Sequence, residues 1–385
     1  MSISPRERVL MTIAHEEPDR VPVILGTSNT TSIKIKAYRK LKDFLGHEGP
    51  DRWIYDWPEL GTVIPDEWML SKLGSDARGV FDAFPAHARE RNSKRPAHSP
   101  YIDDWGSGAS ETGPDEWFPD VHPLAEATTI DAIENYAWPD MNDPSRVAHV
   151  RAEAKRLHEE TDFAVIGTPW LLFPFERAHA MQGLDTFLMN MMAEPEFAQA
   201  LLDKIASLCE TLMDRFLDEA GPFMDIVKIG DDLGTQTSLM ISPEMYRSML
   251  KPLHASMIRR IKAKTGAKVF FHTDGDVFDL VPDFIEIGVD ILNPIQTSAG
   301  KMADLPELKK RYGDKISFCG GIDTQRILPM ASPAEVAAEV QRVGSILGKG
   351  GGWLLAPVHT IMNEVPPQNI VAMLKAVGIK GLPPV

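Results

Sequence analysis

The sequence predicts a (β/α)8 TIM-type barrel with an N-terminal helical extension and a long insertion, and three observations carry that prediction. Short apolar, β-branched runs recur through the second half, each ending in Gly, Asp, His or Asn and each followed by an amphipathic helical stretch. The runs are apolar almost throughout rather than alternating, which suits a parallel sheet covered on both faces. With 385 residues, 43% of them hydrophobic, the chain can build one such domain over residues 1–385. A doubly wound open sheet is the alternative topology.

Taken in order, MSISPRERVLMTIAHEEPDR carries charges from Arg6 onward and no uninterrupted apolar stretch, so it reads as an amphipathic helix and not as a signal peptide. RVPVILG (20–26) is the natural first strand. From about 50 to 140 the chain turns rich in Trp, Pro, Asp and Gly (WIYDWPELGTVIPDEW, SPYIDDWGSG, DEWFPDVHPL), which reads as an insertion of loops and short strands. Two roles stay open for it: a lid over the barrel mouth, or an Ω-loop or oligomer contact that buries its tryptophans. The later strands are FAVIGT (163–168), DIVKIGDD (225–232), KVFFHTD (268–274), VDILNPI (289–295), KISFCGG (315–321) and GWLLAPVH (352–359). An eighth is expected within the irregular stretch 50–160. The segments 302–313 and 332–348 begin near a capping residue or Pro and stop at Gly, as helices do.

Composition narrows the function classes. A formal charge of −15 and a pI near 5.2 repel phosphate backbones and anionic lipid, which argues against nucleic-acid and membrane-surface roles. No apolar run approaches the roughly 20 residues that cross a bilayer. Two cysteines far apart, Cys209 and Cys319, give no disulfide framework and point to a reducing cytoplasm; both sit in apolar contexts and read as core residues.

In a parallel barrel the chemistry gathers at the C-terminal ends of the strands. Those ends deliver Trp170 just past the first of the later strands, then Asp231 and Asp232, His272 and Asp274, Asn293 and Gln296, Asp323, and finally His359. Strand residues two apart share a face, so His272 and Asp274 point together. Two imidazoles and a carboxylate can hold a divalent metal with a coordination position left open. Without a metal, His272 or His359 would act as general acid or base, oriented by a neighbouring carboxylate. Asp231 and Asp232 are each either site residues or caps, since adjacent side chains diverge. Trp170, Asn293, Gln296 and Asp323 are candidate substrate contacts. The nine other histidines read as surface or packing residues.

The opening SPRERVLMTIAHEEPDRVPV, the GDDLGTQ…ISPEMYRSMLKPLH stretch (230–254), HTDGDVFDLVPDFIEIGVDILNPIQ (272–296) and GGIDTQRILP…LLAPVHTIMNEVPPQNIVAM (320–373) together resemble the uroporphyrinogen decarboxylase superfamily, and specifically its methyltransferase-like branch. The resemblance implies a TIM-type barrel. Methylcobalamin:coenzyme M methyltransferases of this superfamily hold zinc with a His-x-Cys pair and a later Cys, and the matching positions here are His272, Asp274 and His359. Replacing both thiolates gives a harder site that favours an oxygen ligand, so the chain is more similar to O-demethylating enzymes than to thiol-alkylating ones. The decarboxylase's arginine-rich segment has no counterpart, because VPVILGTSNTTSIKI contains no Arg.

The expected function is therefore transfer of a methyl group from a methoxylated small molecule to a corrinoid protein or to tetrahydrofolate, with zinc as Lewis acid. DVHPLA at Asp120 lacks the glycine of a DxHxxG cobalamin motif, so a corrinoid would arrive on a separate protein. A metal-independent decarboxylase or lyase of a small acid, and a non-catalytic ligand-binding barrel, are the alternatives. A homodimer is the assembly left open.

Overall fold

The computed structural model describes residues 3–56, 60–113, 116–170 and 173–385; residues 57–59 and 115 of the tryptophan-rich motifs lie outside the described residues. Seven parallel strands follow one another in chain order: β1 (Ala77–Phe81), β2 (Ala164–Thr168), β3 (Ile226–Gly230), β4 (Lys268–His272), β5 (Ile291–Ile295), β6 (Ser317–Ile322) and β7 (Trp353–Pro357). Segment 22–25 occupies the eighth position. Ile24 N–H donates to the Leu355 carbonyl at 2.8 Å, and on the other side Asp76 N–H donates to the Val23 carbonyl at 2.8 Å. The sheet thus closes between β7 and β1, which rules out the open doubly wound topology. Pro22 has no N–H to give, so this first strand is reduced to one parallel bridge, Val23 to Leu355.

The stretch 50–140 holds more than loops and short strands. Its residues 77–81 are the second strand of the barrel, the one missing from the sequence reading. The sequence ARGVF hides it, because Arg78 interrupts the apolar run and only Val80 is β-branched. Arg78 lies against the Phe163 ring at 3.5 Å and donates to Glu67, so its charge is met outside the barrel. Beyond β1, strands Tyr101–Ile102, Gly108–Gly113 and Glu116–Val121 form an antiparallel meander. The Arg177–Asp103 ion pair at 2.6 Å ties it to helix α2 (Phe175–Gln182), which follows β2.

The floor of the barrel is stoppered by helix α1 (Pro5–Ile13). Ser4 and Glu7 form a reciprocal capping box with Pro5 in the first turn, which explains why the helix starts there. Val9 and Ile13 enter a core cluster with Ile24, Ala77, Ala164, Ile166, Ile226, Phe270, Ile291, Cys319, Leu354 and Ala356. Burial of two such side chains contributes about 1.5–3 kcal/mol each. Arg8 pairs with Asp76 at 2.6 Å and with Asp19 at 2.6 Å, locking the helix to β1's approach. Both cysteines are buried thiols that form no disulfide with each other, and burial pushes the Cys209 thiol up to about 12. Among the described residues no helix is long and apolar enough to cross a membrane.

Candidate functional site

Two neighbouring spaces lie at the C-terminal mouth. The outer is a cleft of about 580 Å³ whose wall includes Gln236, Asp274, Gln296, Thr324, Gln325, His359, Thr360 and Glu364. The inner is a chamber of about 70 Å³ walled by Asn29, Tyr55, Trp170, Glu176, Lys228, Asp232, His272 and His359. His359 borders both, so the residues at the throat meet whatever passes between them.

At that throat the strand ends bring three predicted residues together. One donor atom each from His272, Asp274 and His359 lies within 4.8 Å of the others. His272 Nε2 is 3.9 Å from Asp274 Oδ1, and His359 Nε2 is 3.9 Å from Asp274 Oδ2. Those separations are too long for hydrogen bonds, yet near the spacing of about 3.4 Å between neighbouring ligands of a tetrahedral zinc with bonds of about 2.1 Å. The imidazole rings stand 5.5 Å apart at 58° and do not stack.

Two further observations fit a cation. Asp274 Oδ1 is buried and accepts no hydrogen bond, an orphaned oxygen that a metal would satisfy. His272 is held in one tautomer: the Asn293 amide donates to the Cys319 carbonyl at 3.3 Å, which leaves Asn293 Oδ1 to accept His272 Nδ1–H at 2.7 Å. Nε2 therefore presents its lone pair to the throat, as a metal-ligating histidine does when its other nitrogen is pinned. Gly230 makes room for this ring, because a Cβ there would sit 2.9 Å from His272 Cβ.

The electrostatics follow from crowding polar groups into little water. Burial, with Lys228 and His359 nearby, holds His272 well below the usual imidazole value, and burial lowers His359 to about 4. Burial and the neighbouring Asp232 raise Asp274 to about 8. Glu176 is pushed well above the carboxylate range by burial and by Asp232. Burial brings Lys228 down to about 8, opposed by Glu176, Asp232 and Asp274. Neutral imidazoles beside carboxyls that resist ionising are what a divalent ion would convert into ligands.

Of the other predicted site residues, Asp232 joins the throat, 3.8 Å from His272 Nε2, and its Oδ1 accepts Asp274 N–H at 2.9 Å. Trp170 lines the chamber and Gln296 the cleft. Three others find their partners elsewhere. Asp231 is fully buried on the opposite side, accepting Phe175 N–H and Glu176 N–H at the start of α2 and pairing with His254 Nε2 at 2.9 Å. It is the cap, because its side chain leaves the strand end towards the helix layer. Asn293 orients His272 rather than facing a ligand. Asp323 spends Oδ1 on the backbone N–H groups of Gln325 and Arg326, and its neighbours Thr324 and Gln325 face the cleft instead.

Sequence reasoning missed Glu176, Lys228, Tyr55 and Asn29. Lys228 did leave a signal: a lysine inside an apolar strand, on the same parity as the interior-facing Ile226. Glu176 left none, since it reaches the chamber from the start of α2.

The model of the family described as Uroporphyrinogen decarboxylase (URO-D) matches residues 111–378. Uroporphyrinogen decarboxylase of Pseudomonas fluorescens (strain Pf0-1) is 26% identical over 213 residues, 55% of this chain and 56% of that protein. The Idiomarina loihiensis protein of the same name is 23% identical over 256 residues, 64% of this chain and 66% of that protein. The chain thus spans between half and two thirds of the curated relatives it matches. A solved methyltransferase from Methanosarcina mazei superposes with a TM-score of 0.68 at 16% identity, covering 97% of this chain and 98% of the other, a likeness of fold. With the family model matched over more than half its length on a closed barrel of this kind, the chain belongs to the uroporphyrinogen decarboxylase (URO-D) family.

Proposed function

We propose that the protein is a methyltransferase that removes the methyl group of a methoxylated small molecule and delivers it to a corrinoid protein or to tetrahydrofolate, with zinc at His272, Asp274 and His359. The observation that carries this reading is the preassembled nitrogen–oxygen–nitrogen set at the throat, with one tautomer fixed by Asn293 and an open cleft in front. Bound there, zinc would supply Lewis acidity toward an ether oxygen. The chain's own residues do the rest: Asn293 aims His272, Asp232 holds the Asp274 backbone, and Trp170 and Tyr55 wall the chamber against water. The fold shared with the Methanosarcina mazei methyltransferase supports the same reading.

Decarboxylation of a small carboxylic acid is the second reading, favoured by the name of the curated relatives. A substrate bearing many carboxylates fits poorly, because no Lys or Arg lines the outer cleft among the described residues while Asp274 and Glu364 do. Metal analysis separates the two. About one zinc per chain, lost in His272→Ala with the fold intact, is expected for the methyltransferase. A purified protein that refuses zinc would overturn the ligand assignment. If alanine at all three positions left ligand binding and activity in cells unchanged, the barrel would be a non-catalytic binder.

A further inference from the structure

We propose that Lys228 is a catalytic residue whose ammonium, at the back of the inner chamber, receives the oxygen that a methyl ether leaves behind when its methyl group is taken. The inference rests on the methyl-ether reading above.

The sequence of β3, IVKIG, sets Ile226, Lys228 and Gly230 on one face. Ile226 belongs to the floor cluster, and Gly230 pairs in register with His272 at the throat. Lys228 therefore stands inside the barrel, one layer above the apolar floor and one below the throat. Gly230 above it has no side chain to cover the ammonium.

A charge in that place is costly unless something uses it. Among the described residues Nζ has one hydrogen-bond partner, Asn29 Oδ1, at a long 3.3 Å, while the nearby carboxyls of Glu176, Asp232 and Asp274 favour its charge without bonding to it. An ammonium carries three donors, so two remain for the chamber. Lys228 is also the only lysine or arginine among the described residues lining the chamber, and that chamber is the only described cavity it borders. Although burial lowers its pKa to about 8, the group still carries its proton at neutral pH.

The two spaces differ in what they admit. About 70 Å³ is far below the roughly 300–1,000 Å³ of sites that enclose a whole small-molecule ligand. Only the reacting end of a ligand enters, while its body stays in the outer cleft of about 580 Å³. An ether is bent at its oxygen, so it enters the throat oxygen first. The oxygen comes toward Nζ, and the methyl group and the body both turn back toward the cleft, from which the acceptor approaches the methyl carbon in line with the carbon–oxygen bond. In the transfer, an electron pair of the acceptor, a two-electron nucleophile such as a reduced corrinoid, forms the new bond to the methyl carbon. The carbon–oxygen pair stays on oxygen. The alkoxide or phenolate so formed is neutralised by the Lys228 ammonium, and after release to bulk solvent the product takes up a solvent proton, completing the alcohol or phenol. A fixed cation where negative charge develops is the usual source of such stabilisation.

Binding of 4-nitrophenol tests the assignment without a known donor or any turnover. The zinc-supplemented wild type, Lys228→Met and Lys228→Arg are titrated at mildly acid pH by following the phenolate absorbance, with metal content and thermal melting measured on the same samples. Wild type and Lys228→Arg should bind the phenolate, and Lys228→Met should bind it about ten- to a hundredfold more weakly at unchanged zinc content, the weight of one charge-assisted hydrogen bond. Should Lys228→Met not fold, Lys228→Gln makes the same comparison. Equal phenolate binding by wild type and the neutral variant overturns the assignment while leaving the zinc site standing. No phenolate binding by the wild type also overturns it. A wild type that holds no zinc but binds phenolate in a Lys228-dependent way upholds the assignment and removes the zinc from the reading.

Discussion

Replacing Asn293 by leucine, a side chain of similar size, tests whether the throat is built for a metal. The substitution removes the acceptor for His272 Nδ1–H at 2.7 Å and the donor to the Cys319 carbonyl at 3.3 Å, both in a fully buried setting. Freed from its partner, the imidazole can turn or carry its proton on Nε2, the nitrogen that faces Asp274 and His359. Loss of such an outer partner costs about 10- to 100-fold in metal affinity, or about 1.4–2.7 kcal/mol. The two groups left unpaired cost stability as well, about 1–3 kcal/mol each. Competition against a chromogenic zinc chelator gives the affinity, and urea unfolding of the metal-free protein gives the stability separately. Asn293→Asp keeps an acceptor at the same atom and should bind zinc more tightly than the leucine variant. Wild-type zinc affinity in a folded Asn293→Leu would refute the reasoning, because the tautomer would then matter nothing to the site.

Three other outcomes are expected. Asp231→Ala should lower the unfolding free energy by about 2–4 kcal/mol, since it orphans two backbone N–H groups and His254, and should leave zinc content unchanged; loss of zinc from a folded variant would return Asp231 to the site. Arg8→Met should destabilise the fold by about 3 kcal/mol in urea without altering ligand binding, because Asp76 is 1% exposed and keeps only Arg20 as its cationic partner; an unaffected unfolding midpoint would contradict the stopper's electrostatic lock. His179 is lowered to about 4 by burial and by Arg177 and His122, so the native state refuses a proton that the unfolded chain takes below about 6.5. Its contribution is complete above about pH 6.5 and is lost as pH falls toward about 4, at up to about 1.4 kcal/mol per pH unit and less in proportion to its partial exposure. Urea unfolding near pH 7 and pH 5 should show a steeper fall for wild type than for His179→Leu, and parallel falls would count against this origin.

The barrel was legible where strands were unbroken. VKIG, VFFH and WLLAP read as strands because each is a short, largely apolar run bounded by Gly, Asp, His or Pro, and their order gave the topology. Strand β1 was not, since Arg78 and Gly79 carry no strand preference and tertiary pairing with β2 makes the strand. His272, Asp274 and His359 were legible because strand ends converge in a parallel barrel. Asp231 and Asn293 were harder: the direction a side chain takes past the last ladder bond depends on what receives it, here the start of α2 and the His272 ring. Glu176 lies beyond any local rule, because its role comes from where α2 docks.

The stopper formed by Val9 and Ile13 bears on kinetics as well as stability. With the far end of the barrel filled, traffic between the inner chamber and solvent uses the C-terminal mouth. A two-substrate reaction here would obey a compulsory order, with the donor loading first and deepest and the acceptor following above it. The demethylated product would leave only after the methylated acceptor had departed, so excess acceptor would slow turnover by trapping that product beneath it.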